Sequence, residues 1–241
     1  SITLVKSTKT LREEILTLRK KEKQPVKTAA YGVSVENLKV TYDEGETLTY
    51  PNFTIKPGEK VLLTGDSGTG KSTLFKALLG KIETKCGKIT YFDKESRPIT
   101  NANLGYLPQD PIVFPISIKD NITMFVKRTE KQLMNIINNV ELKNDLDKLP
   151  SGIDTEVNLK KNNLSGGQRQ KIVLARSEIY HQPFVLMDEV TSAIDQKATE
   201  EIITALLKTD QTILMIAHNF TPELRAKFDQ EIKLAKKGEE E

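Results

Sequence analysis

Positions 65–72 read GDSGTGKS. Gly65, Gly70, Lys71 and Ser72 fill every fixed place of the pattern G-x-x-x-x-G-K-[ST], with Asp66, Ser67, Gly68 and Thr69 between them. The chemistry this stretch suits is the holding of a polyphosphate. Several backbone N–H groups must turn inward around such an anion. Gly68 and Gly70 permit backbone angles and a close approach that a Cβ would block. A helix starting near Lys71 would aim its positive end at the phosphates. Lys71 is expected to reach the β- and γ-phosphates, Ser72 to ligate Mg2+, and Thr73 to add a hydroxyl on the α-phosphate side. The competing reading is a glycine-rich turn that matches by chance. An apolar strand before it and a helix after it argue for phosphate.

Such a loop needs a metal-holding acid at the end of a neighbouring buried strand. The stretch FVLMDE supplies Asp188, with Glu189 directly after it. Successive strand residues point opposite ways, so the two acids divide the work. Asp188 is expected at Mg2+ and Glu189 at a water in line with the γ-phosphate. The plainer reading of the pair is a helix cap at a strand–helix turn. His218 ends another apolar run, where it would face a nucleotide or serve structure alone. Gln109, in YLPQDP, sits at a further strand end, from which its amide could touch water and metal. A second glycine pair lies in NNLSGGQRQKIVLAR. Leu164, Ser165, Gly166, Gly167 and Gln168 open a helix and make another anion-binding N-terminus. One chain with one phosphate loop has no evident use for two such sites. Two chains packed head to tail would use both.

These residues need elements to carry them. FTIKPGEKVLLTG reads as a strand, a Pro-Gly turn and a second strand, continuously apolar and therefore central. VSVENLKVTY, GKITYF and LGYLPQ read as strands. Helices are expected at about 71–79, 117–145, 166–179 and 196–208. PFVLMDE and QTILMIAHN read as buried strands. Strands alternating with helices predict a mainly parallel α/β sheet. Near the N-terminus, Thr10 and Glu13 could form a capping box for a thin amphipathic helix over 10–23, ended by Pro25.

The 241 residues, 37% hydrophobic and 29% charged, suffice for one large domain or a domain with a subdomain. No apolar run approaches the roughly 20 residues of a membrane helix, and a signal-peptide h-region is absent. The single cysteine, Cys86, excludes an internal disulfide and fits a reducing compartment. A net charge of +3 is weak. The basic stretch LRKKEKQPVK suits a nucleic-acid arm, a solvated helix face or a segment near anionic lipid. The chain begins at Ser1, as a fragment or processed chain would.

With LSGGQ, the phosphate loop, Gln109, FVLMDE, SAID and His218 in this order, the sequence resembles the ATP-binding domains of ABC transporters over about 33–235. The resemblance implies an α/β fold: a P-loop NTPase (RecA-like) core with a small antiparallel β layer and an inserted helical subdomain. It divides the chain into a linker helix, 1–30, after a membrane domain, and an ABC ATPase domain, 31–241. The core would comprise 31–110 and 181–235, the helical subdomain 111–180. Tyr42 matches the aromatic that stacks on adenine. Gln109 matches the residue linking the site to a membrane partner. Ser165, Gly166, Gly167 and Gln168 would bind the γ-phosphate held by the opposite subunit. Glu189 matches the catalytic base, Asp195 an aspartate at the dimer interface, and His218 the switch histidine. ATP and Mg2+ are the implied cofactors. The implied partners are a permease domain on the same parent polypeptide and a second ATPase domain in a head-to-tail dimer, with no nucleic acid. The implied location is the cytoplasmic side of the cell membrane, peripheral through the membrane domain.

YLPQDPIVFPISIKDNI and LPSGIDTEV are similar to exporters whose membrane helices precede the ATPase. The chain departs from that pattern at Asn158, Leu159 and Lys161, where exporters carry a Gly-Glu pair and a later Gly, and at Ser177 and Glu178. The rival functions are a soluble ABC ATPase acting on DNA or ribosomes and an ATP-binding module with little catalysis. A generic P-loop kinase leaves LSGGQ unexplained. Only 93 positions separate Ser72 from Ser165, too few for the long coiled coil of chromosome-type members.

Overall fold

The computed structural model describes Glu13 and residues 27–41, 47–217 and 220–235. The expected helix over 10–23, Tyr42 and His218 therefore lie outside the described residues, apart from Glu13.

The apolar runs become the strands of a five-stranded, wholly parallel sheet in the order β12-β5-β11-β10-β9. Its members are β5 (Lys60–Gly65), β9 (Gly105–Leu107), β10 (Phe184–Asp188), β11 (Thr212–Ile216) and β12 (Gln230–Leu234). Every residue of β10 and β11 is buried, as a strand covered on both faces requires. Alternate residues feed two cores. Val61, Leu63, Phe184, Leu186, Leu214 and Ile216 enter one; Leu62, Val185, Met187, Ile213 and Met215 enter the other. Helix α1 (Lys71–Leu78) covers the first through Leu74, Phe75 and Leu78. Between β9 and β10 come α2 (Ile118–Thr123), α3 (Glu130–Asn139), α4 (Lys143–Leu146), a 3-10 turn (Gly152–Asp154) and α5 (Gly166–Tyr180). The second core holds α5, α6 (Gln196–Leu207) and Leu224 of α7 (Pro222–Arg225).

The antiparallel layer is β3-β2-β6-β7, with β4 also on β2. Its strands are β2 (Gly32–Thr41), β3 (Thr47–Thr49), β4 (Phe53–Ile55), β6 (Cys86–Phe92) and β7 (Pro98–Ile99). β2 buries Val33 and Val35, then Leu38 and Val40. That phase change needs one extra residue. The register slips between Glu36 and Lys39, and Asn37 takes a left-handed φ of 50°. The bulge turns both halves of the strand inward. Short β1 (Thr28–Ala29) pairs in parallel with β8 (Ala102–Asn103).

Two expectations need correction. The helical stretch 117–145 is three helices. Ser117 caps the first, accepting from Asp120 N at 3.0 Å. Met124 and Phe125, with φ of 46° and 64°, end it, because left-handed residues cannot continue a right-handed turn. Thr129 and Gln132 restart the next with a capping box. Second, β12 was not foreseen. Only Ile232 and Leu234 of QEIKL are buried, so this edge strand lacks the continuous apolarity that marks β5, β10 and β11.

Candidate functional site

The 65–70 loop leaves β5 and enters α1 without a side-chain cap. Its glycines answer to different constraints. At Gly65 an added Cβ would lie 2.5 Å from the Leu234 carbonyl oxygen of β12. At Gly68 nothing stands within 4 Å, so only its φ of 84° demands glycine. At Gly70 a Cβ would meet the Tyr50 hydroxyl and Leu48 at 2.8 Å. Close approach at Gly65 and Gly70 is thus to the chain itself. Tyr50, which the sequence reading passed over, donates its hydroxyl proton to the Gly70 carbonyl at 3.0 Å. Thr69 is buried and bonds Asp66 O through its hydroxyl at 2.9 Å; Asp66, Ser67, Gly68 and Ser72 are exposed. Thr73 is buried on α1.

Lys71 folds back across this loop. Its Nζ donates to Gly65 O at 2.6 Å and Asp66 O at 2.9 Å. Burial holds its pKa below the ordinary lysine value, against the opposing pull of Glu189, Asp66 and Asp188. A cation held on two backbone carbonyls suits an anion arriving from the open side at Gly68.

Asp188 is the buried last residue of β10. The Tyr106 hydroxyl approaches its Oδ2 at 3.5 Å. Glu189 turns off the strand with φ 49°, anchored by its N–H on Ile216 O at 3.0 Å. Its Oε2 accepts from Gln109 Nε2 at 2.8 Å. The helix-cap alternative for this acid pair falls to Asp195, whose carboxylate accepts the Ala198 N–H at 3.0 Å and starts α6. That bond holds the Asp195 pKa below the usual carboxylate range. Among the described residues no three His, Cys, Asp or Glu side chains cluster as a metal cage. One hydroxyl (Ser72), one carboxylate (Asp188) and one amide (Gln109) are hard oxygen donors. They fit Mg2+, which uses few protein ligands and keeps waters and phosphate oxygens.

The second glycine pair is a fully capped helix start. Ser165 Oγ accepts from Gln168 N at 3.1 Å, and Gln168 Oε1 accepts from Ser165 N at 2.8 Å. Gln168 Nε2 reaches Asp145 at 3.4 Å, and Lys171 pairs with the same carboxylate at 2.8 Å. Gly166 and Gly167 sit against Ala193: a Cβ on Gly167 would lie 2.7 Å from Ala193 O. Among the described residues the hydrogen bonds of this tip go to its own helix and to Asp145, none to the 65–73 loop. The sequence reading missed Gln170, which binds the loop after Glu189. A polar residue at a buried helix position was the available signal.

The departures at Asn158, Leu159 and Lys161 and at Glu178 also have local reasons. Asn158 Oδ1 accepts from Lys160 N and Lys161 N, while Asn163 holds Asn158 N at 2.8 Å and Glu156 O at 2.9 Å. The turn is self-bonded and leaves Leu159 exposed. Glu178 accepts from Asn139 at 3.3 Å, and burial raises its pKa. Arg176 locks the segment after Gln109 to α5, donating to Ile112 O at 3.0 Å and Asn121 O at 2.7 Å.

Residues 48–192 match the family described as "ABC transporter". A mesentericin transport/processing ATP-binding protein (MesD) of Leuconostoc mesenteroides is 36% identical over 180 residues, 70% of this chain and 24% of that one. The Lactococcin-A transport/processing ATP-binding protein LcnC of Lactococcus lactis subsp. lactis is 31% identical, covering 83% and 29%. A solved structure of a bacterial Atm1-family ABC exporter with ATP bound superposes with a TM-score of 0.74 at 26% identity, over 87% of this chain and 38% of that one. The chain spans 24% and 29% of the lengths of these two curated relatives.

Proposed function

Because this chain belongs to the ABC transporter family, we propose that it is the ATP-binding and hydrolysing part of a membrane exporter. The observation that carries this reading is the meeting of three strand ends. Lys71 follows β5, Gln109 follows β9 and Glu189 follows β10; Gln109 bonds Glu189, and the acids bear on the lysine. Lys71 and the loop N–H groups bind the phosphates of ATP; Ser72 and Thr73 extend the contact along α1. Ser72 and Asp188, with Gln109, would hold Mg2+, which would neutralise charge on the phosphoryl oxygens. Glu189 accepts a proton from the attacking water. Gln109 orients that carboxylate through its Oε2. Tyr42 stacks on adenine and His218 contacts the γ-phosphate side.

The tip at 165–168 closes the nucleotide of a second copy or a related domain, head to tail, with Asp195 at that junction. Gly166 and Gly167 stand in the first turn of α5, where N–H groups have no intrahelical acceptor and suit a γ-phosphate. Closure on ATP and reopening on hydrolysis drive membrane segments of the parent polypeptide, which places this domain at the cytoplasmic face. The relatives' names speak of mesentericin and lactococcin transport and processing, and a cargo of that kind follows by analogy alone.

The test uses the full chain with Mg-ATP. Binding of a fluorescent ATP analogue and Mg-dependent phosphate release are expected. A chain that binds no ATP at millimolar concentration overturns the nucleotide reading. Binding without phosphate release, in the chain and in its parent protein alike, overturns the enzyme.

A further inference from the structure

Gln170 lies in the second turn of α5, only 4% exposed. Both ends of its amide are engaged by the loop that follows the acid pair. Nε2 donates to Ser192 Oγ at 3.1 Å, and Oε1 accepts the Ala193 N–H at 3.0 Å. The same Ala193 fills the space that Gly166 and Gly167 leave open. Residues 192–193 are thus seated on the first turns of α5 by two hydrogen bonds and a backbone contact. The seat is tied in turn to Glu189, whose carbonyl oxygen accepts the Ser192 N–H at 3.0 Å. Glu189 holds a left-handed φ of 49°, a conformation that a non-glycine residue keeps only when its surroundings impose it. Downstream, Asp195 ends the loop by capping α6.

We propose that Gln170 is a positioning residue that keeps the Glu189 turn in register with the 165–168 tip. The proposal rests on the reading above, in which Glu189 serves this chain's own nucleotide and the tip serves the partner's. One buried amide then sets the two jobs together: a shift of the tip moves 192–193, and through Ser192 the turn that aims Glu189.

The chemistry of the amide makes this separable from bulk packing. Leucine at 170 has similar volume but takes away the side-chain acceptor of the Ala193 N–H. Glutamate keeps that acceptor, and the Ser192 hydroxyl can rotate to donate to it. The experiment compares wild type, Gln170→Leu, Gln170→Glu and Ser192→Ala in the full chain. It reads kcat and KM for phosphate release, Kd for an ATP analogue, and hydrogen exchange of the Ala193 amide. Gln170→Leu is expected to lower kcat about ten-fold through a sub-ångström misplacement of Glu189, with Kd within about two-fold. Gln170→Glu should recover most of that loss, and Ser192→Ala should lose less than Gln170→Leu. The Ala193 amide should exchange faster in Gln170→Leu alone.

Equal kcat in wild type and Gln170→Leu overturns the proposal. So does a joint loss of kcat and ATP affinity that glutamate fails to repair, which marks a packing residue. If Gln170→Leu does not fold, Ser192→Ala and Gln170→Glu decide by the same split. A wild type that binds no ATP sinks the functional reading instead. The exchange readout still judges the clamp, which is lost if Ala193 protection survives Gln170→Leu.

Discussion

The 65–72 loop and the 165–168 tip both place glycines at the start of a helix, yet glycine is there for different reasons. In the first, Gly65, Gly68 and Gly70 all have positive φ, and Gly68 borders open space. In the second, neither glycine has a positive φ; both are crowded by Ala193. The first helix has no side-chain cap, and a lysine ties its loop carbonyls together. The second has a full capping box and a neighbouring loop bolted to it. Both motifs let backbones approach, Gly65 against Leu234 and Gly167 against Ala193, but only the first also needs positive φ angles. The spacing of glycines in a sequence does not distinguish these, whereas the space around each Cα does.

The strongest way to sharpen the contrast is to stop turnover while both helix starts stay occupied. Glu189→Gln should cut phosphate release by about 10²–10⁴-fold, the usual worth of a positioned base. ATP binding should remain, and an ATP-dependent dimer should appear in size-exclusion chromatography. A variant that stays monomeric with saturating Mg-ATP, as chain and as parent protein, removes the tip from the partner's nucleotide. Lys71→Ala should weaken ATP by about 10–100-fold, the range for a lost charge-assisted bond, as read by fluorescence titration. The Ser165 bonds to Gln168 should be untouched.

Substituting the glycines tests the comparison directly. Gly167→Ala should cost about 1–3 kcal/mol in urea unfolding, since its Cβ would press on Ala193 O. Gly68→Ala should cost about 1–2 kcal/mol from its left-handed φ. Asparagine separates the causes, because it tolerates that conformation. Gly68→Asn should recover stability relative to Gly68→Ala, and Gly167→Asn should fare worse than Gly167→Ala. The same order of recovery at both sites would erase the distinction.

The smallest effect concerns the loop seated on the second tip. The Asp195 pKa is depressed in the folded chain by the Ala198 N–H. Its contribution to stability is therefore complete above the unfolded value of about 3.9 and fades as pH falls through the lower folded value. Asparagine caps helices as well as aspartate. Asp195→Asn should leave stability at pH 7 nearly unchanged and flatten the acid limb of an unfolding series. An unchanged acid limb would show that the Asp195 cap does not titrate this helix start.

Much of this was readable from residue order. The parallel core was legible because β5, β10 and β11 bury both faces and so carry unbroken apolar runs. The site was legible as far as it is local: a loop between strand and helix, and an acid pair at a strand end. β12 and the break at Met124 were not, because an edge strand shows half a signal and a left-handed pair has no fixed composition. The Gln109–Glu189 bond joins residues 80 positions apart, and Gln170–Ser192 residues 22 apart; no spacing rule encodes either.

The order of motifs alone determined which family the chain belongs to and which residues are expected to face phosphate, because backbone N–H groups, a lysine and a strand-end acid act over a few neighbouring positions. Tertiary structure alone decided what each glycine is for, that Asp195 and not the acid pair caps a helix, and that Gln170 grips the loop behind Glu189. These depend on surfaces brought together from distant parts of the chain, and a steric contact between two backbones leaves no mark on either until they meet.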